Sequence, residues 1–120
     1  MKEIYSDLLD KDIIELMNKN LAKPDKTILE HTNDLLNELN ILLRLGYIEE
    51  DRIFKLVQKS IIYHDIGKIN REFQKRINKK NGKFNEEVEV VHNILSLYFI
   101  DKDKFETLDD YIRVAHAVFN

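Results

Sequence analysis

The chain has 120 residues, of which 43% are apolar and 34% charged, and a net charge of −3; that is enough for one folded core and too little for two. No stretch approaches the roughly 20 apolar residues that span a bilayer, and the acidic balance excludes nucleic-acid binding through bulk charge. Cysteine is absent, which excludes disulfides, thiolate ligands and a cysteine nucleophile and fits a cytoplasmic domain.

The pattern predicts one all-α domain over residues 1–120. Glu3 and Asp7 sit where a signal peptide would be basic and apolar. Leu8, Leu9, Ile13, Ile14 and Met17 predict a first amphipathic helix ending near Asn20. Pro24-Asp25 breaks the chain, and Thr27 with Glu30 forms a capping box. The second helix follows on Ile28, Leu35, Leu39 and Leu42, with Gly46 in the left-handed position past its end. Glu49, Glu50 and Asp51 favour the start of a third helix, whose Ile53, Val57 and Ile61 lead into His64 and Asp65.

Gly67 ends or bends that helix, and Asn70 to Gln74 opens a short one with Phe73 and Ile77 in the core. Residues 78–84 read as a polar loop around Gly82, and Asn85 caps a fifth helix with the face Val88, Val91, His92, Leu95 and Phe99. Thr107 with Asp110 caps a last helix through Tyr111, Val114, Ala115 and Val118. Strand character is confined to Ile4-Tyr5 and Leu97 to Phe99, within helical periodicity, so no sheet is expected. The last helix still runs at Phe119-Asn120 without a stop signal, so the chain is expected to be an N-terminal portion of a longer one.

Candidate chemistry centres on Tyr63-His64-Asp65-Ile66-Gly67-Lys68. Adjacent helical side chains diverge by about 100°, so His64 and Asp65 would chelate one ion only with help from another helix, or reach two ions. Imidazole plus carboxylate suits Mn, Fe, Co, Ni or Zn, and a bridging carboxylate also admits Mg. His31, between Ile28 and Leu35, His64, after Ile61, and His92, between Val88 and Leu95, all fall on apolar stripes of different helices. One such histidine is ordinarily a hydrogen-bonded core residue. Three of them beside an Asp raise a shared metal to an equal reading, since imidazoles buried without partners would be costly.

Lys68 after glycine is ordinarily a solvated lysine, yet its spacing from His64 and Asp65 also suits a positive charge near a substrate phosphate. Lys75, Arg76, Lys79, Lys80 and Lys83 form a basic run, a solvated face or a guide for a phosphate backbone. Spacing leaves His116 as core, ligand or neither.

The order of these motifs resembles the HD phosphohydrolase superfamily. More narrowly, it is similar to the HD nuclease domain of the CRISPR-associated helicase-nuclease of type I systems. Glu30-His31-Thr32, His64-Asp65-Ile66-Gly67-Lys68, Phe73-Gln74, and Val91-His92-Asn93 with Ser96 carry the resemblance, over about residues 27–120. It implies a helical bundle with two divalent metal ions that cuts single-stranded DNA, beside a fused or separate helicase and recruited by a crRNA-guided surveillance complex. By position, His31, His64 and Asp65 would hold the first ion, with Asp65 bridging, His92 would hold the second, and Lys68 would lie near the scissile phosphate. The family's paired histidine and later aspartate are missing: His116 is followed by Ala117, and the chain ends where that pair is approached. The 120 residues alone are therefore expected to lack part of the second metal site. Two competing readings are an HD-type nucleotide phosphohydrolase and a non-catalytic helical module.

Overall fold

The first helix of the sequence reading is two helices. Leu8 and Leu9 are both buried, and neighbours about 100° apart cannot both face one core from a straight helix. The computed structural model, which describes residues 2–77 and 86–119 (residues 2, 3, 72 and 86–91 by backbone alone), places a break there. Helix α1 is Lys2–Leu8 and α2 is Lys11–Lys19, with Asp10 extended at the N-cap of α2.

Pro24-Asp25 then turns a short antiparallel hairpin of β1, Leu21–Lys23, and β2, Lys26–Thr27, where no sheet was expected. The strands are short and rich in lysine, so they carry no strand signature in sequence. Ala22 is buried and Lys23 exposed. Pro with its fixed φ, followed by Asp, suits the turn.

Helix α3, Ile28–Arg44, starts at the expected capping box: Glu30 N–H donates to Thr27 Oγ1 at 3.1 Å, and Thr27 N–H to Glu30 Oε1 at 3.0 Å. Gly46 follows with φ of 81°, a conformation glycine adopts without strain. Asp51 caps α4, Arg52–His64, by accepting from Phe54 N–H. A 3₁₀ turn, Ile66–Ile69, leads to α5, Arg71–Ile77. Next come α6, Glu86–Tyr98, a second 3₁₀ turn, Lys102–Lys104, and α7, Leu108–Phe119, capped by Thr107 Oγ1 accepting from Asp110 N–H. The architecture is mostly α: seven α-helices and the hairpin among the described residues. None of these helices is long and apolar enough to cross a membrane.

Two apolar stripes are phased differently from the expectation. α3 buries Ile28, Thr32, Leu36 and Leu39, leaving Leu35 half-buried and Leu42 exposed. α4 buries Phe54, Leu56, Ile62 and Tyr63, while Ile53 is 54% exposed and Val57 38%. Both helices have apolar residues on more than one face, and on α4 the larger aromatic surfaces of Phe54 and Tyr63 win the core. Leu42, Ile53 and Val57 instead line an open apolar cleft of about 440 Å³ with Tyr47.

α4 lies between α3 and α7, and α6 closes over α7 and the first 3₁₀ turn. Met17, Ile28, Ile62, Tyr63 and Ile66 are fully buried in this core. At the far end of α4, Arg52 pairs with the buried carboxylate of Asp110, joining the N-terminal ends of α4 and α7. The expected loop over 78–84 and the Asn85 cap lie outside the described residues, as do Lys79, Lys80 and Lys83.

Candidate metal centre

His31 lies in the first turns of α3, His64 closes α4, and Asp65 sits between α4 and the 3₁₀ turn. Leaving the α-helix at Asp65, which has φ −110° and ψ 5°, turns its carboxylate towards His64 instead of letting the two diverge. Asp65 Oδ2 stands 3.0 Å from His64 Nε2 and 3.5 Å from His31 Nε2. Ligand atoms of all three residues fall within 4.8 Å of one another. Donors sharing one ion through bonds of about 2.1 Å are spaced by roughly 3–3.5 Å, as both Asp65–imidazole pairs are, so this set could hold a divalent cation.

A second observation agrees. Asp65 is buried, yet Oδ2 accepts no aligned hydrogen bond despite the short approach of His64. The other oxygen, Oδ1, faces Lys68 Nζ at 3.2 Å. Burial by itself would raise the Asp65 carboxyl, but the His64 imidazole and the Lys68 ammonium outweigh it and hold it well below the usual carboxylate range. The charge is thus kept on an oxygen pointing at two imidazoles.

The histidines differ. His64 Nδ1–H donates to the Ile61 carbonyl at 2.6 Å, which leaves Nε2 facing Asp65. Burial works against a charged His64, but the Asp65 contact and charge, aided by the Ile61 carbonyl, raise its pKa. His31 is lowered, first by burial and then, against the pull of Asp65, by the positive charges of Lys23, Lys68 and His64. A neutral His31 has a lone pair to give.

Five contacts hold the motif in place. A Cβ on Gly67 would lie 1.8 Å from the His92 carbonyl oxygen, so only glycine admits this approach of α6. Ser96 Oγ accepts from Gly67 N–H at 2.8 Å and donates to the His64 carbonyl at 3.2 Å. Gln74 Nε2 donates to the Lys68 carbonyl at 2.7 Å, and Lys68 Nζ lies 5.4 Å from the centroid of the Phe73 ring.

The structure therefore brings together His31, His64, Asp65 and Lys68. His92 is buried behind them on α6, its ring edge-on to Phe73 with centroids 5.6 Å apart, and is not part of the three-residue donor group. His116 is exposed on α7 and likewise outside that group. Phe73 and Ile77 are buried as expected, Lys75 is exposed and Arg76 half-buried. Residue patterns did not reveal the supporting roles of Ser96 and Gln74. Ser96 left a trace, being four residues after His92 on one buried face of α6, where a hydroxyl must find a partner.

Compared with family models, curated proteins and solved structures, the chain matches none.

Proposed function

We propose that the chain is a divalent-metal-dependent phosphohydrolase acting on single-stranded DNA, with His31, His64 and Asp65 as ligands. The observation that carries this reading is their convergence on a buried carboxylate oxygen without an aligned hydrogen bond. The resemblance to the CRISPR-associated HD nucleases supplies the substrate class, and with it a helicase partner and a crRNA-guided complex. A second ion with His92 as ligand has only that resemblance behind it.

His31, His64 and Asp65 would hold a divalent cation, and the chemistry it would supply when bound is Lewis acidity towards a phosphoryl oxygen and a lowered pKa of water near neutral pH. The protein's own groups prepare that chemistry. The Ile61 carbonyl fixes the His64 ring with Nε2 inward, and His31 stays neutral. Lys68 Nζ, beside Asp65 Oδ1, is placed to donate to a non-bridging phosphate oxygen and to offset charge that builds there during attack. No protein nucleophile is required, in keeping with the absence of cysteine.

The test is metal content and Mn²⁺-dependent cleavage of a single-stranded oligodeoxynucleotide, for this protein and its Asp65→Ala variant. Bound metal with cleavage lost in the variant is the expected result. Metal without cleavage would reduce the chain to a metal-binding module, and hydrolysis of mononucleotides alone would move the substrate to a nucleotide. No metal in either protein, with both folded, would overturn the site.

A further inference from the structure

The open apolar cleft of about 440 Å³ lies between the C-terminal end of α3 and the start of α4, and backbone geometry sets its walls. Past the last turn of α3, Gly46 N–H donates to the Leu43 carbonyl and Tyr47 N–H to the Leu42 carbonyl, both at 3.1 Å. This pair of bonds is the Schellman ending, which brings the residue after the glycine back towards the one five positions before it. Leu42 and Tyr47 thus share one wall, while Ile53 and Val57, one turn apart on α4, form the other. Leu39 and Phe54 are buried beneath them. The wall residues stay in water: Tyr47 is 76% exposed, Ile53 54%, Leu42 42% and Val57 38%. A contiguous apolar patch of this kind on a folded chain marks a contact surface.

Charge narrows the occupant. Glu49 and Asp51 line the rim, and no basic side chain lines the cleft among the described residues. Asp51 is fixed there, its carboxylate accepting from Phe54 N–H at 3.0 Å. The bases nearest along the chain stay outside the lining: Arg44, Arg52, which pairs with the buried Asp110, and Lys55. Glu50 lines the neighbouring pocket with Arg52 and Lys55, so it is left out of the count. Carboxylates at the rim and only apolar groups within do not orient a small molecule, which needs convergent polar groups inside. The helical walls have their backbone bonds made and offer no strand edge to extend. A second copy docked about a two-fold axis would bring two sets of Glu49 and Asp51 together. The chain's own apolar and basic helix, α5, keeps Phe73 and Ile77 buried.

We propose that the cleft between Leu42, Tyr47, Ile53 and Val57 is a docking groove for a basic amphipathic helix of a partner protein, with Glu49 and Asp51 matching the positive flanks of that helix. The groove contains none of His31, His64 and Asp65 and stands independently of the phosphohydrolase reading.

The probe is a fluorescein-labelled model helix of about 18 residues, with leucine at the i, i+3, i+4 and i+7 positions of one face and lysine elsewhere. A second probe carries glutamate in place of lysine. Binding to the full chain is read by fluorescence anisotropy at about 0.15 M salt, and the oligomeric state of the protein by sedimentation velocity. The lysine helix is expected to bind one to one and about tenfold tighter than the glutamate helix. Tyr47→Ala should weaken it by about tenfold, the loss of an aromatic anchor. Glu49→Gln with Asp51→Asn, which removes both charges and keeps a capping side chain on α4, should bring the two probes to parity. Tyr98→Ala removes an equally exposed tyrosine from α6 and should bind as wild type. Circular dichroism melts check that these surface variants fold. Equal binding of the two probes, equal losses in Tyr47→Ala and Tyr98→Ala, or no binding by the wild-type protein would each overturn the groove. A dimer that Tyr47→Ala dissociates would put a second copy in the cleft and overturn the proposal. Uptake of an apolar dye with neither helix bound would make the cleft a small-molecule pocket and overturn it as well.

Discussion

His64 commits Nδ1 to the Ile61 carbonyl, which leaves Nε2 as the nitrogen that titrates against Asp65. In the metal-free protein burial pulls its pKa down, and the contact with the Asp65 carboxylate more than reverses this. A raised folded pKa means that His64 adds stability fully present below about pH 6.5 and lost as the pH rises through the folded value. The depressed Asp65 carboxyl behaves oppositely: its contribution is present above about pH 4 and lost as the pH falls through its folded value. A metal ion competes for the same Nε2 lone pair. Mn²⁺ affinity, followed by calorimetry, is therefore expected to climb by about tenfold per pH unit until His64 is deprotonated, then level off. An affinity independent of pH would remove His64 from the ligand set. At Gly67 the expectation is steric. A methyl there would lie 1.8 Å from the His92 carbonyl oxygen and 2.8 Å from Ser96 N, both backbone atoms that cannot step aside singly. Gly67→Ala should lower stability by about 3 kcal/mol in urea denaturation, through overpacking that displaces α6. A wild-type midpoint would show that α6 does not pack there.

Between elements, Ser96 joins α6 to both the last carbonyl of α4 and the first turn after it. Ser96→Ala strands the buried Gly67 N–H and should cost about 1–3 kcal/mol. Mn²⁺ affinity should fall alongside, because His64 and Asp65 lose their common anchor. Loss of stability with Mn²⁺ affinity intact would make Ser96 a packing residue only. The caps Thr27 with Glu30 and Thr107 were legible in sequence as local signals, settled by groups three residues apart, whereas Asp51 was read only as one of three acidic residues favouring a helix start. The phases of α3 and α4 were not legible, since Ile53-Phe54 and Leu56-Val57 offer two adjacent apolar stripes and only tertiary competition chooses between them. Of the site, the Tyr63 to Lys68 run and the inward placement of His31 could be read from spacing, whereas His92 shared the pattern without joining the donor group. Asp110 was legible only through its backbone, as Thr107's capping partner; that its carboxylate would meet Arg52 across the fold depends on a separation no local pattern encodes. The Gln74 bonds to Leu21 are non-local in the same way.

Across the whole molecule, the helical class followed from periodicity, while the hairpin was hidden by strands too short to show alternation. Two phenols report on the integrity of the core. Tyr5 donates to Asn33 Oδ1 at 2.6 Å and Tyr63 to the Leu8 carbonyl at 3.3 Å, and burial pushes both pKa values up to about 12. Unfolded tyrosines titrate near 10, so each contributes stability fully present below about pH 10 and lost as the pH rises towards 12, in total about 2–3 kcal/mol per residue. Thermal midpoints should therefore fall steeply over that interval, and Tyr63→Phe should flatten the fall; an unaltered slope would argue against a buried phenol. The proposed ligands come from just two places, His31 near the start of α3 and the contiguous His64-Asp65 at the end of α4. An ion shared between them is a removable cross-link that closes everything from residue 31 to residue 64 into a ring, Gly46 turn included. Chelation opens that ring and restores freedom to the unfolded chain, so the melting temperature itself becomes a gauge of site occupancy, rising with the logarithm of free Mn²⁺ once the site is saturated.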